Sequence, residues 1–178
     1  MVDPVLALVS TVRHDGRGGV ADDLGDLDRC RRWLGDPGVE EAGRLALVGL
    51  RQAVRSLFAV VVAPEPPSAA DADRLPSVAE AVRLVNAAVL PERVWLEWAA
   101  GPVVHTEALG GNGIELVLDR FARAAIAFLT SPARLGLRAC RGPRCVKYYV
   151  REHPRQGWCS PACGNRARVS RHYRRRVD

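Results

Sequence analysis

Residues 140–163 read CRGPRCVKYYVREHPRQGWCSPAC and hold four of the chain's five cysteines, Cys140, Cys145, Cys159 and Cys163. They form two close pairs, C-x4-C and C-x3-C, separated by thirteen residues. Each pair can present two thiolates from one tight turn, and the loop between them is long enough to bring both pairs around one ion. The spacing therefore predicts a tetrahedral four-cysteine zinc site. Four thiolates leave no coordination position open for water, so one structural Zn2+ is expected. A tail of about 40 residues is too small to fold on hydrophobic burial alone, whereas structural zinc supplies on the order of 10 kcal/mol.

The surrounding residues suggest how such a site is built. Val146, Tyr148 and Val150 alternate ahead of the turn residues HPRQG at 153–157, which predicts a small β-hairpin. Ser160 stands where a helix N-cap belongs and Pro161 at the first helical position, so Cys163 is expected in the first turn of a helix. Knuckle, hairpin and helix around one metal make a treble-clef-like finger.

Charge divides the chain at the same place. Residues 1–133 carry 13 Lys/Arg against 18 Asp/Glu, and residues 134–178 carry 13 against 2. A polycationic tail on an acidic body points to a polyanionic partner, usually nucleic acid, with a solvated or membrane-surface segment as the alternative on charge alone. On the expected final helix Arg168, Arg171 and Arg175 recur along one face, with Arg174 and Arg176 beside them and Asn165 and Arg166 upstream. Guanidinium forks clamp phosphates and read guanine edges, and Asn can pair with adenine. These seven residues are the candidate DNA contacts.

The body reads as helical. Leu24, Leu27, Cys30 and Leu34 recur at helical spacing before Gly35 and Pro37. Leu45, Val48, Leu50, Val54, Leu57, Phe58 and Val61 define a long helix from about Val39 to Ala63, ended by the loop APEPPS. Ser77 and Glu80 are in capping-box register before AVRLVNAAVL at 81–90. ERVWLEW at 92–98 alternates, AAGP turns and VVHTEAL returns the chain, a β-hairpin signal. IELVLDRFARAAIAFLT at 114–130 is a further amphipathic helix. For PVLALVSTV at 4–12, strand and helix stay open. The fold class expected is mainly α with a small β-hairpin (α+β). An acidic helical domain at 1–133 precedes a zinc finger at 134–178.

The longest uninterrupted apolar run, LFAVVVA at 57–63, is too short to cross a bilayer, so no membrane association is expected. The start MVDPVLALVS lacks the basic residues and cleavage site of an export signal, which predicts a cytoplasmic location and disfavours disulfides. No nucleophile elbow, phosphate loop or zinc-protease motif is present, so an enzyme is not expected. A regulator needs an input. Ser10, Thr11, Arg13, Arg51 and Asn86, polar residues near apolar segments, are the candidates for a small-molecule pocket.

The tail CRGPRCVKYYVREHPRQGWCSPACGNRARVSRHYRRR resembles the CGNR zinc finger, named for the string formed here by Cys163, Gly164, Asn165 and Arg166. The preceding region, through LALVSTVRHDGRGGVADDL, LVGLRQAVRSLF and AVRLVNAAV, resembles the alanine-rich bacterial ABATE domain that precedes this finger. The resemblance implies a bacterial, stress-linked transcription regulator whose C-terminal finger binds DNA. Ser10 stands where that pattern commonly has Asn, so a pocket contact made by that Asn would be shortened or lost here. The expected function is a zinc-dependent DNA-binding regulator whose body senses a small molecule or forms a homodimer. Two alternatives stay open: a zinc-stabilised protein-interaction module, and a sequence-nonspecific RNA or DNA binder.

Overall fold

The computed structural model describes residues 3–15, 19–71 and 75–177; for 174–177 it describes the backbone alone. The chain opens with helix α1 (Pro4–Val9), whose Asp3 side chain accepts the Val5 amide at 2.9 Å and whose Pro4 occupies the first turn. This settles the segment the sequence left open: Val5, Leu8 and Val9 are buried on a helix, and extended structure begins only at β1 (Val12–His14). β1 pairs antiparallel with β2 (Val20–Asp22).

Helix α2 (Leu27–Leu34) starts at its Asp26 cap, which accepts the Arg29 amide, and stops at Gly35 in the left-handed conformation. Leu24, expected on this helix, is fully buried in the turn before it, because the cap fixes the start two residues later.

Helix α3 (Glu41–Val62) is the central post, packed against α1, α4 (Val78–Ala87) and α5 (Gly113–Thr130). Leu47, Leu50, Ala53, Val54, Phe58 and Val62 face the core, and so do Arg51 and Arg55. Leu45 is instead exposed, since the buried stripe is rotated toward the arginine side. Length and composition alone would let α3 cross a bilayer, but half of its most apolar stretch is buried inside the protein, with two arginines on the buried side. Ser77 caps α4 through the Glu80 amide at 3.2 Å, while the Glu80 carboxylate turns to Arg83 rather than back to the cap. The reciprocal box forms on α5, where Glu115 accepts the Asn112 amide at 3.0 Å.

Between α4 and α5 stands the hairpin of β3 (Glu92–Trp98) and β4 (Pro102–Ala108), as its alternation predicts. After α5 and a short 3-10 turn, β5 (Leu137–Ala139) leads into the first cysteine knuckle. β6 (Tyr148–Val150) pairs back onto β5, and α6 (Pro161–Val177) closes the chain. The tail thus has its small hairpin, but HPRQG is not its turn. The knuckle CRGPRC is the hairpin loop, because the partner of β6 is the apolar strand before Cys140. The residues after HPRQG form no strand.

β5 and β6 are also part of the body's core. Leu137, Ala139 and Tyr148 are buried in the same cluster as Phe58 and Phe128. Phe58 meets the Tyr148 ring edge-on at 5.5 Å and the Phe128 ring at 5.3 Å.

Candidate metal centre and basic helix

The β5–β6 hairpin delivers Cys140 and Cys145 at its tip, and the start of α6 delivers Cys163, with Cys159 just ahead of the helix. The four sulfurs lie within 4.8 Å of one another. Cys145 Sγ is 3.7 Å from Cys159 Sγ, which is 3.5 Å from Cys163 Sγ. A tetrahedral ion with metal–sulfur bonds of about 2.3 Å sets sulfurs roughly 3.8 Å apart, so the set fits one structural zinc.

Local chemistry builds this geometry. The Cys140 amide donates to the Lys147 carbonyl at 2.9 Å and the Cys145 amide to the Gly142 carbonyl at 2.9 Å, closing the knuckle. Arg144 takes a left-handed φ of 63° to turn the chain into Cys145. Ser160 caps α6 by accepting the Cys163 amide at 3.3 Å. The amides of Gly142 and Cys159 point at Cys140 Sγ, at 3.5 and 3.4 Å, as donors to a thiolate. A Cβ on Gly142 would lie 2.9 Å from Cys163 Cβ, and one on Gly164 would lie 2.9 Å from Trp158 Cδ1. The glycine of the CGNR string is therefore explained by the indole packed against the helix.

Electrostatically the cluster is one unit. Hydrogen bonds from Cys145 and Cys159, then the two amides, hold Cys140 far below the usual thiol range against the opposing effect of burial. Contact with that thiolate pushes Cys145 and Cys159 up. A divalent cation among the sulfurs would stabilise thiolates and remove this opposition.

α6 is pinned by its first two turns. Cys163, Gly164 and Ala167 face inward, and Asn165, Arg166, Arg168, Arg171, His172 and Tyr173 are exposed. Among the described residues, no carboxylate pairs with Arg166, Arg168 or Arg171. Arg166 instead donates to Cys163 Sγ at 3.0 Å, and Arg168 donates to Asn165 Oδ1. The side chains of Arg174, Arg175 and Arg176 lie outside the described residues.

The five pocket candidates do not converge. Arg51 donates to Thr11 Oγ1 at 2.9 Å and clamps Asp22 through both terminal nitrogens, at 2.5 and 2.8 Å. Ser10 ends α1 through its own amide, Arg13 pairs with Asp23 at the surface, and Asn86 is exposed on α4. Thr11 and Arg51 thus meet, and Arg51 lines a cleft of about 340 Å3 with Asp22, Gln52, Arg55 and Asp71.

Sequence reasoning missed Arg55 and Asp71. Arg55 Nε donates to Asp71 Oδ1 at 2.7 Å, and its terminal nitrogens donate to the carbonyls of Val9 and Val146 and to Ser68 Oγ. A pair of arginines four apart inside an apolar stripe was the available signal.

Residues 3–132 match the model of the ABATE family, described as "Putative stress-induced transcription regulator", and residues 136–176 match the CGNR zinc finger. Neither description is of an enzyme. No curated protein matches the chain. The chain belongs to the ABATE family and carries a CGNR zinc finger at residues 136–176.

Proposed function

We propose, with that membership as the premise, that the protein is a zinc-dependent transcription regulator that grips duplex DNA with α6. The observation that carries this reading is a helix held by four thiols at one end, presenting exposed Arg166, Arg168 and Arg171 with no carboxylate partner among the described residues. Arg174, Arg175 and Arg176 continue the same sequence and would extend the grip. Such forks bind phosphate bidentately, and Asn165 is positioned beside them. The acidic body, residues 1–133, is the regulatory part. Its cleft at Arg51 and Asp22 supports the sensing of a small molecule with hydrogen-bonding groups. Such a regulator works in the cytoplasm, where its DNA lies.

One observation favours a second reading. Asn165 Oδ1 accepts from Arg168, and an adenine read bidentately needs both the oxygen and the nitrogen of that amide. With one lone pair of that oxygen so engaged, Asn165 is less free to read a base, which favours a helix that binds chiefly phosphates. Fluorescence anisotropy on selected and random duplexes across a salt series separates the two. Base reading gives selected duplexes the tighter binding, and phosphate contact alone gives equal affinities with a steep salt slope. Reversal of Arg168 and Arg171 to Glu should remove binding while bound zinc stays at one per chain; unchanged affinity would refute the reading.

A further inference from the structure

The β3–β4 hairpin has two unlike faces. Cross-strand partners share a face, so Arg93 with Glu107, Trp95 with His105 and Glu97 with Val103 form one side. That side satisfies itself. Trp95 stacks on His105 at 5.1 Å, the Arg93 guanidinium lies over the Trp95 ring at 4.7 Å, and Glu97 Oε2 is 2.7 Å from His105 Nε2.

The other side sets Val94, Leu96 and Trp98 opposite Thr106, Val104 and Pro102, and none of the described residues covers it. Val94 is 58% exposed, Leu96 60%, Trp98 71% and Val104 66%. Between its ends this face carries no charge, and at its base Glu92 is already paired with Arg123 at 2.7 Å. Lone surface apolar residues are ordinary, but four on one sheet face make a patch that soluble proteins cover.

We propose that a second copy of this chain covers it, hairpin against hairpin about a twofold axis. An uncharged face meets its own copy without like-charge repulsion or a stranded ion, whereas acidic surfaces elsewhere on the body would repel one another. A twofold contact requires a self-complementary patch, and this one is self-complementary by being uniformly apolar. The area is also sufficient: the four side chains expose roughly 500 Å2 per copy, so two copies would bury about 1,000 Å2, the lower bound of a specific interface. Pro102, Thr106 and the unpaired strand edges add to it. The contact is independent of the DNA reading proposed above and is tested by oligomeric state alone, so DNA binding and self-association succeed or fail separately.

Sedimentation velocity on the zinc-loaded full chain between about 1 and 100 μM should show a dimer. The double variant Leu96→Thr, Val104→Thr keeps β-branched or strand-favouring residues and should weaken association about 100-fold. A wild-type monomer throughout, or a dimer of equal strength in the variant, would overturn the proposal. Should the variant lose its cooperative thermal transition, p-benzoylphenylalanine in place of Trp98 in the otherwise unchanged chain decides. A covalent dimer joined hairpin to hairpin supports the contact, and an adduct only within one chain, or none, overturns it.

Discussion

The Tyr148 hydroxyl donates to Asp71 Oδ2 across 2.7 Å and accepts the Ser68 amide at 3.2 Å, tying the strand behind the metal knuckle to the loop that follows α3. Arg55 completes the junction by pairing with Asp71 and donating to the Val146 carbonyl at 3.3 Å. Every polar group in this contact is buried and partnered, which makes it costly to interrupt.

Tyr148→Phe strips a donor from Asp71 and an acceptor from Ser68 and should cost about 1–3 kcal/mol. Arg55→Leu, which leaves the Asp71 carboxylate buried and unpaired, should cost about 3–5 kcal/mol. Urea unfolding followed by far-UV circular dichroism measures both; equal losses would contradict a larger role for the arginine.

Removal of the metal should leave the body standing. Leu137, Ala139 and Tyr148 are held by the main core, while the cysteines and the start of α6 depend on the ion. With chelator, hydrogen exchange is expected to accelerate across the 17 residues of α6 and the knuckles, and to stay slow in α3 and α5. Duplex binding should vanish. Simultaneous deprotection of α3 would show that the core needs the ion too.

Gly164→Ala places a Cβ against the Trp158 indole and should cost about 1–3 kcal/mol, read as weaker retention of zinc against a competing chelator. Gly157→Ala is the control. No atom lies within 4 Å of a Cβ built there, so zinc retention should stay at the wild-type level.

Acid should destabilise the body through Asp22. Burial by itself would push this carboxyl up, but hydrogen bonds from Arg51 and the Leu24 amide, with the charges of Arg51 and Arg44, outweigh it and hold the pKa below the usual value. A carboxyl more acidic in the folded than in the unfolded chain stabilises the fold above its unfolded value, about 3.9, and that contribution is lost as pH falls through the folded value. Denaturant titrations from neutral pH to about pH 3 should therefore show stability falling below about pH 4. Asp22→Asn should begin less stable and decline less steeply over the same range.

The zinc ligands were legible because their signal is local: two short spacings and a cap before Cys163. The helices were legible for the same reason, through the stop at Gly35 and Pro37 and the register of Ser77 with Glu80, whereas the caps at Asp26 and Asn112 went unread and Leu24 was misplaced for want of the first. The partner of β6 was not, since alternation in VKYYV marks a strand without saying which neighbour it will find. Nor was the burial of Arg51 and Arg55. Periodicity groups residues on a face, but the acceptors that let guanidinium groups turn inward lie as far away as Val146, 91 residues from Arg55. The mismatch at Leu45 has the same origin, because the stripe follows those acceptors rather than apolarity alone.

The shared core also limits modularity. A cut near residue 134 would take Leu137, Ala139 and Tyr148 from the body and leave Phe58 facing a vacated site, while the severed finger would lose the floor beneath its hairpin. Grafting another zinc finger onto this body would therefore require the graft to bring its own tyrosine-like wedge and a hydroxyl for Asp71. Recombination between such chains is expected to succeed at the loop before α6 and to fail at the junction between the two matched segments.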